Sequence, residues 1–397
     1  MSEKRRDNRN RILRTGESQR KDGRYAYKYI DTFGNPQFVY AWKLVPTDKT
    51  PAGKREDISL REKEKEIQKD LDDGIDTIGK KMTVCQLYAK QIRHRGNVRY
   101  NTKNGRKRLM KLLEEDKLGG CPIDSVKLSD AKEWAIRMKE KGISYKTISN
   151  DKRSLKAAFY TAIQDDCIRK NPFDFQLNTV IEDDTEPKVA LTPAQEESFL
   201  SFAQNDKVYQ KYYDELIILL GTGFRISELC GLTDTDIDFE NRIINVDHQL
   251  LRSAETGYYI ETPKTKSGIR QIPMSEKVYE AFNRVLKRSR GAKAVTIDGY
   301  SNFLFLNRDG YPKTATNYDG MFRGLAKKYN KYHEEALPKV MTPHTLRHTF
   351  CTNMANAGMN PKALQYITGH SNITMTLNYY AHTTSETSIT EMKRLIA

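Results

Sequence analysis

Cysteine is scarce in this sequence and nothing about its placement suggests pairing. The five cysteines, Cys85, Cys121, Cys167, Cys230 and Cys351, are widely spaced, odd in number and include no CxxC pair. That argues against a disulfide framework or a zinc site and predicts reduced thiols, as in a cytosolic protein. Long hydrophobic runs are also missing. No stretch of 18 apolar residues occurs, so no transmembrane helix is predicted, and the opening MSEKRRDNRNR lacks the apolar segment of a secretory signal. Acid is in deficit: 52 Asp and Glu stand against 67 Lys and Arg, a net charge of +15. Such an excess concentrates polyanions and favours nucleic acid or an anionic membrane surface as partner. At 397 residues the chain exceeds one ordinary domain and fits two or three.

Composition separates three regions. Residues 1–82 open with a basic stretch and continue in two runs of alternating aromatics, Tyr25, Tyr27, Tyr29 and Phe38, Tyr40, Trp42, around the turn signal FGNP. This predicts a small antiparallel sheet, with a preceding strand near 11–17. A helix is predicted at Leu60–Leu71, with Ser59 and Glu62 as a capping box and Gly74 as its stop. Residues 83–180 read as all-helical, with helices near 83–92, 101–114, 129–141 and 145–165. Basic residues crowd two of them: Arg106, Lys107 and Arg108 on one, Lys146, Lys152 and Arg153 on another. Such faces are ordinarily just solvated, but two in one small domain favour phosphate contacts. An acidic, polar linker covers 181–190. The third region, 188–397, is mainly helical and begins with Thr192, Pro193 and Gln195 as N-cap, N1 and N3. A β patch at 242–273 is its exception, with Lys264, Lys266 and Arg270 at the end of a hairpin. The fold class expected is therefore multidomain: a small α+β N-terminal sheet domain, an all-α domain, and a mainly α domain with a small β-sheet.

Five signals follow one another in the third region. GTGFRISELCGL places Arg225 where a glycine-rich turn meets a helix. PKTKSGIRQIP carries Lys266 at a hairpin tip. TPHTLRHTF sets His344 and Arg347 three apart at a helix start. TGHSN puts His370 after a short helix capped by Asn360 and Pro361. MTLNYYAH brings Tyr379 nine residues beyond His370. Each alone has an ordinary explanation: a surface ion pair, a solvated turn lysine, a half-buried tyrosine. Together they suit phosphoryl transfer. Guanidinium forks bind non-bridging phosphate oxygens bidentately, and preorganised donors stabilise the charge of a five-coordinate transition state. A tyrosine hydroxyl, with a reference pKa of about 10, needs a base and cations beside it to attack. A lysine can protonate a departing 5′-oxygen. No acidic cluster is placed for a two-metal site, so this chemistry requires no metal.

On these residues the chain resembles the tyrosine recombinase (phage integrase) family, most strongly over 188–397, and in particular the integrases of conjugative transposons. The resemblance implies that Arg225 and Arg347 clamp the scissile phosphate. Lys266 is then the general acid, His344 the general base, His370 a hydrogen-bond partner of the phosphate and Tyr379 the nucleophile of a 3′-phosphotyrosine. Glu228, one turn after Arg225, matches an acidic position that orients the site. The phosphotyrosine conserves bond energy, so no cofactor, ATP or metal is implied. The family spacing selects Tyr379, with Tyr380 beside it as the open alternative. The KSG context favours Lys266 over Lys264, and His348, outside the His-x-x-Arg order, is expected to be structural.

The same resemblance makes 83–180 a core-DNA-binding domain and 1–82 an arm-DNA-binding domain, with Arg24, Lys28, Tyr40 and Trp42 as candidate contacts. The sheet is narrow enough for a major groove. It implies double-stranded DNA with core and arm sites as partner, and a tetramer of protomers joined through the C-terminal tail TEMKRLIA. It also allows for an accessory DNA-bending or excision factor, and implies a cytoplasmic protein that is nucleoid-associated on DNA. The expected function is integration and excision of a mobile element. Two rivals remain: a type IB topoisomerase, which shares the chemistry but lacks the N-terminal sheet module, and a non-catalytic DNA-binding regulator, which leaves the ordered constellation unexplained.

Overall fold

The structure, a computed structural model, describes residues 5–77, 79–96, 98–186, 189–263, 266–289, 295–380 and 392–393. The chain forms two compact units, 1–186 and 187–397. No helix among the described residues is long and apolar enough to cross a membrane.

The first unit opens with an antiparallel sheet of β1 (Glu17–Gln19), β2 (Tyr25–Ile30) and β3 (Pro36–Ala41), in that order. The strand expected at 11–17 starts only at its end. The Asp7 carboxylate accepts the backbone N–H groups of Arg9 and Arg11 and folds this stretch into a turn, leaving an isolated bridge between Arg6 and Ile12. The alternation read in the sequence holds. Tyr25 and Ala41 pack inward with Leu13, Leu44 and Leu60, while Lys28, Ile30, Phe38 and Tyr40 line the exposed face. Helix α1 (Leu60–Asp72) covers the inner face. Its start is fixed by Glu62, whose Oε2 accepts both the backbone N–H (2.9 Å) and the hydroxyl (2.7 Å) of Ser59.

Four helices follow, α2 (Val84–His94), α3 (Tyr100–Glu114), α4 (Leu128–Glu140) and α5 (Tyr145–Gln164), each where the apolar spacing predicts it. They share a separate core that includes Leu87, Leu113, Trp134, Leu155, Phe159 and Phe173. Within this unit Arg169 pairs with Asp70 and Asp73, and the Asp76 N–H donates to the Asp166 carbonyl at 2.7 Å, tying the end of α1 to the bundle.

The second unit begins with α6 (Pro193–Asn205), α7 (Tyr213–Thr222) and α8 (Ile226–Gly231). The predicted cap is present, with the Gln195 N–H bonded to Thr192 Oγ1. Strands β4 (Ile237–Asp238), β5 (Ile243–Val246), β6 (Gln249–Ser253), β7 (Gly257–Glu261) and β8 (Arg270–Pro273) come next. Helices α9 (Glu276–Ser289), α10 (Ala315–Tyr332), α11 (Pro343–Asn356), α12 (Pro361–Thr368) and α13 (Ile373–Leu377) complete it. Buried Phe199, Leu219, Phe224, Phe282, Phe322 and Leu346 belong to its main core, each worth about 1.5–3 kcal/mol of burial.

The β patch differs from the single hairpin expected. β6 pairs with β7, whereas β8 leaves β7 and pairs with β5, in a second sheet ordered β4-β5-β8. Lys266 therefore sits in a short 3-10 turn, Lys266–Gly268, on the connection between two sheets rather than at a hairpin tip. The cause is non-local: the Arg270–Pro273 strand finds its partner at Ile243–Val246. Lys264 lies outside the described residues.

Candidate active site

The site gathers around the junction of α7 and α8. Helix α7 ends at Gly223, whose φ of +64° is left-handed and whose missing side chain leaves room for Phe350. A Cβ there would stand 2.4 Å from Phe350 Cδ1. This tight reversal makes Arg225 the N-cap of α8. Glu228, at N3, takes the Arg225 backbone N–H at 2.9 Å on Oε2 and the Arg225 Nη1 at 2.7 Å on Oε1. Arg225 Nη2 donates to the Gly369 carbonyl at 2.8 Å, and its side chain stays 38% exposed, open to a ligand.

Arg347 is 2% exposed. Its Nη1 donates to the Gly223 carbonyl at 2.6 Å and its Nη2 to the Thr368 carbonyl at 2.5 Å. Each terminal nitrogen keeps a second N–H, because a guanidinium carries five donors. Burial, then the Arg225 charge, lowers this guanidinium to about 10, so it remains cationic at neutral pH. Glu228 feels the opposite balance. Burial raises its carboxyl, but the hydrogen bonds and charge of Arg270, followed by Arg225 and Arg347, outweigh that and hold it down at about 2.

His370 follows α12, whose N-cap is Asn360 as the sequence predicts. It is 3% exposed, with Nδ1 3.0 Å from Thr376 Oγ1. Burial first, then Arg347 and Arg225, lowers its imidazole to about 4, leaving it neutral near pH 7. His344 occupies the second position of α11 and is solvent-exposed; its charge bears on His370.

Tyr379 lies in the turn just beyond α13 rather than within a helix, because the helix closes at Leu377. Its ring is parallel to that of His370, centroids 6.3 Å apart, and edge-on to His348 at 4.9 Å. Burial, then the Cys351 thiol to which it is hydrogen-bonded, raises its phenol above the ordinary range. Tyr380 turns elsewhere and its hydroxyl donates to the Met359 carbonyl. His348, expected to be structural, is thus a ring neighbour of Tyr379.

Several participants were not singled out for this role in the sequence. Arg270, Cys351, Thr376 and the carbonyls of Gly223, Thr368 and Gly369 all hold candidate residues in place. Arg270 carried one signal: on β8 it shares the inward face with Ile272, an unusual place for a charge. Among the described residues, Asp236, Asp247 and His248 could be read as metal ligands. Their donor atoms are engaged: His248 with Asp247 (2.6 Å) and the Gly231 carbonyl (2.7 Å), Asp236 with Thr233. None of them belongs to the constellation.

The basic candidates of the first unit divide. Arg24 stacks on Tyr40 and Trp42 and Lys28 on Phe38, a cationic aromatic face on the sheet. Lys107, Lys146 and Arg153 are exposed, and Arg106 donates to the Arg95 carbonyl. Arg108, exposed, and Lys152, half-buried, each also have a partner within this unit. Arg108 Nη2 donates to both carboxylate oxygens of buried Asp151, and Lys152 bonds the Phe175 carbonyl and lies over its ring.

Cationic forks, neutral imidazole and a tyrosine in one largely helical domain define a phosphoryl-transfer enzyme of the tyrosine-nucleophile class. Comparisons with known proteins agree. The family described as "Phage integrase family" matches residues 190–387, and "DNA binding domain of tn916 integrase" matches residues 1–71. The chain is 69% identical over 395 residues to the transposase from transposon Tn916 of Enterococcus faecalis, covering 100% of this chain and 97% of that protein. It is similar to solved structures of the Tn1549 transposon integrase (residues 82–397). One is an R225K form in complex with a circular intermediate DNA (75% identity, TM-score 0.76, 79% and 99% of the two chains). Another is a Y379F form with transposon right end DNA (75%, 0.76, 80% and 100%). The chain belongs to the phage integrase family: it is a tyrosine recombinase of the transposon integrase type, an enzyme that cleaves and rejoins DNA.

Proposed function

We propose that this chain integrates and excises a mobile element by a 3′-phosphotyrosine route, with Tyr379 as nucleophile. Arg225 and Arg347 bind the two non-bridging oxygens through the N–H groups left over from their carbonyl contacts. His344 takes the Tyr379 proton as its oxygen attacks phosphorus. The bond to the 5′-oxygen breaks, and Lys266 protonates that oxygen as it leaves. A 5′-hydroxyl of another strand reverses the step, so bond energy is conserved and no cofactor is consumed. His370, with Nδ1 taken by Thr376, turns Nε2 to the phosphate, and Glu228 aims Arg225. The observation that carries this reading is the convergence of Arg225 and Arg347 on the backbone beside His370 and the Tyr379 ring.

Residues 1–82 act as the arm-binding domain through the Arg24–Tyr40–Trp42 face, 83–180 as the core-binding domain, 181–190 as linker and 188–397 as the catalytic domain. The protein works on double-stranded DNA in the cytoplasm; its action on DNA is supported by the Tn1549 relatives, solved in complex with transposon right end and circular intermediate DNA. Protomers assemble as a tetramer through the C-terminal tail, most of which lies outside the described residues.

The test is a nicked suicide duplex carrying a transposon end. Tyr379→Phe is expected to bind it and form no covalent adduct, while Tyr380→Phe forms adduct at a rate close to the parent. Adduct persisting in Tyr379→Phe would remove that residue as nucleophile.

A further inference from the structure

Among the described residues of the second unit, Arg270 is the most completely enclosed charge that the chemistry above does not use. Its side chain is 0% exposed, and three of its nitrogens donate. Nε bonds the Ile367 carbonyl at 2.6 Å. Nη1 bonds Glu228 Oε1 and the Gly268 carbonyl, both at 3.1 Å. Nη2 bonds Glu228 Oε2 at 2.9 Å. These acceptors belong to three separate parts of the site. Gly268 closes the turn that contains Lys266, Glu228 stands behind Arg225, and Ile367 is in the last turn of α12 before His370. We propose that Arg270 is a positioning residue that preassembles the site, one buried guanidinium keeping the Lys266 turn, the Arg225–Glu228 pair and the His370 turn in register. This inference rests on the site reading given above.

Stability alone does not account for it. A buried ion pair is weak evidence for stability, because desolvation consumes most of the attraction, and an apolar residue serves as well or better. Ile272, two residues on, fills the neighbouring inward position of the same strand. What an apolar residue cannot do is fix the separation of three polar groups. Nor can lysine, which lacks the planar fork. The fit is close on every side: a Cβ at Gly369 would stand 3.1 Å from Arg270 Nη1 and 3.0 Å from the Ser267 carbonyl, so the two turns approach with no slack. There is an electrostatic consequence as well. Glu228 is matched on both oxygens by Arg270, so the second end of Arg225 is not drawn into that pair. Three guanidiniums against one carboxylate leave the cleft cationic, as an incoming phosphate requires.

The experiment uses the full chain on a nicked transposon right-end duplex, measuring DNA affinity and single-turnover cleavage from pH 5 to 8. Arg270→Gln is expected to bind within about twofold of the parent and to cleave at least tenfold more slowly at pH 7.5. Losing Arg270 leaves the Glu228 carboxyl buried with fewer cations. Its cleavage is therefore expected to fall more steeply than the parent's as pH drops, an acid limb added to the one that protonation of His344 gives both proteins. Glu228→Gln in the same background abolishes that limb. Arg270→Lys recovers part of the rate. The paired variant Arg270→Met with Glu228→Gln leaves no unmatched buried charge and is expected to fold, bind and still cleave slowly. Parent-like cleavage in Arg270→Gln, or slow cleavage whose pH profile runs parallel to the parent's, overturns the proposal. So does loss of folding in both the single and the paired variant, which makes Arg270 a stability residue only. Tyr379→Phe runs alongside: adduct in that variant defeats the site reading itself, whereas its silence beside parent-like Arg270→Gln defeats only the positioning role.

Discussion

At the scale of the residue, the site works by suppressing some charges and sparing others. His370 is the clearest case. An imidazole among Arg347, Arg225 and Arg270, nearly sealed from water, loses its proton more readily than in solution, and its value drops from 6.5 to about 4. The linkage to stability has a definite sign. As pH falls below 6.5 the unfolded chain takes up a proton that the folded chain refuses, so the contribution is complete above 6.5 and drains away down to about 4. The whole gap corresponds to roughly 3 kcal/mol. Between pH 7.5 and 5 the parent is expected to lose about 2 kcal/mol more than His370→Gln, read from urea unfolding of each at both pH values. Equal losses in the two proteins would show that His370 does not titrate as its surroundings dictate.

At the scale of the element, what positions these side chains is mostly backbone. Carbonyls at the ends of α7 and α12 receive Arg225 and Arg347, so the shape of two helix termini sets the spacing of the clamp. Gly369 ends α12 with φ +63°, and a side chain there meets Ser267 and Arg270 at contact distance. Gly369→Ala is expected to cost about 1–2 kcal/mol of stability for the left-handed conformation and to slow cleavage more than tenfold, because the carbonyl that receives Arg225 shifts. Chemical denaturation and single-turnover cleavage measure the two separately, and a stability loss with unchanged cleavage would show that the termini tolerate movement.

The same scale explains what was legible in the sequence. Signals spanning a single turn were readable: Ser59 with Glu62, Thr192 with Gln195, and Asn360 before Pro361 mark helix starts through contacts made within the turn itself. The ordered run from Arg225 to Tyr379 could be picked out because its residue types suit one chemistry, and the fold brings Arg225, Arg347, His370 and Tyr379 together. Choices made between distant segments were not. Whether β8 pairs with β7 or with β5 depends on residues almost thirty positions apart, and the period of the strand is the same either way. The partnership of Arg270 with Glu228 spans 42 residues. The turn that holds Tyr379 depends on the closure of α13 at Leu377, which no local signal marks.

At the scale of the whole molecule, charge and hydrophobic cores are distributed so that DNA binding and strand chemistry are built separately. The N-terminal sheet has its own core of Leu13, Tyr25, Ala41, Leu44 and Leu60, and the α2–α5 bundle another. On the sheet, Arg24 over Tyr40 and Trp42, and Lys28 over Phe38, present cations on an aromatic support. Among the described residues, the side chains named around Tyr379 come from 225–380. Removing residues 1–82 is therefore expected to leave adduct formation on a short core-site duplex within about threefold of the full chain, while arm-site binding falls at least a hundredfold. Every cation withdrawn from a DNA phosphate also flattens the salt dependence by about one unit of slope, so the remaining core binding should respond less steeply to salt on duplexes that carry both site types. Gel-shift titrations on separate arm and core duplexes at several salt concentrations read both effects. Loss of core binding together with arm binding would mean that the Asp70, Asp73 and Asp76 contacts to the bundle are needed to keep it competent. The sheet domain would then be part of the core-binding machinery rather than an independent arm.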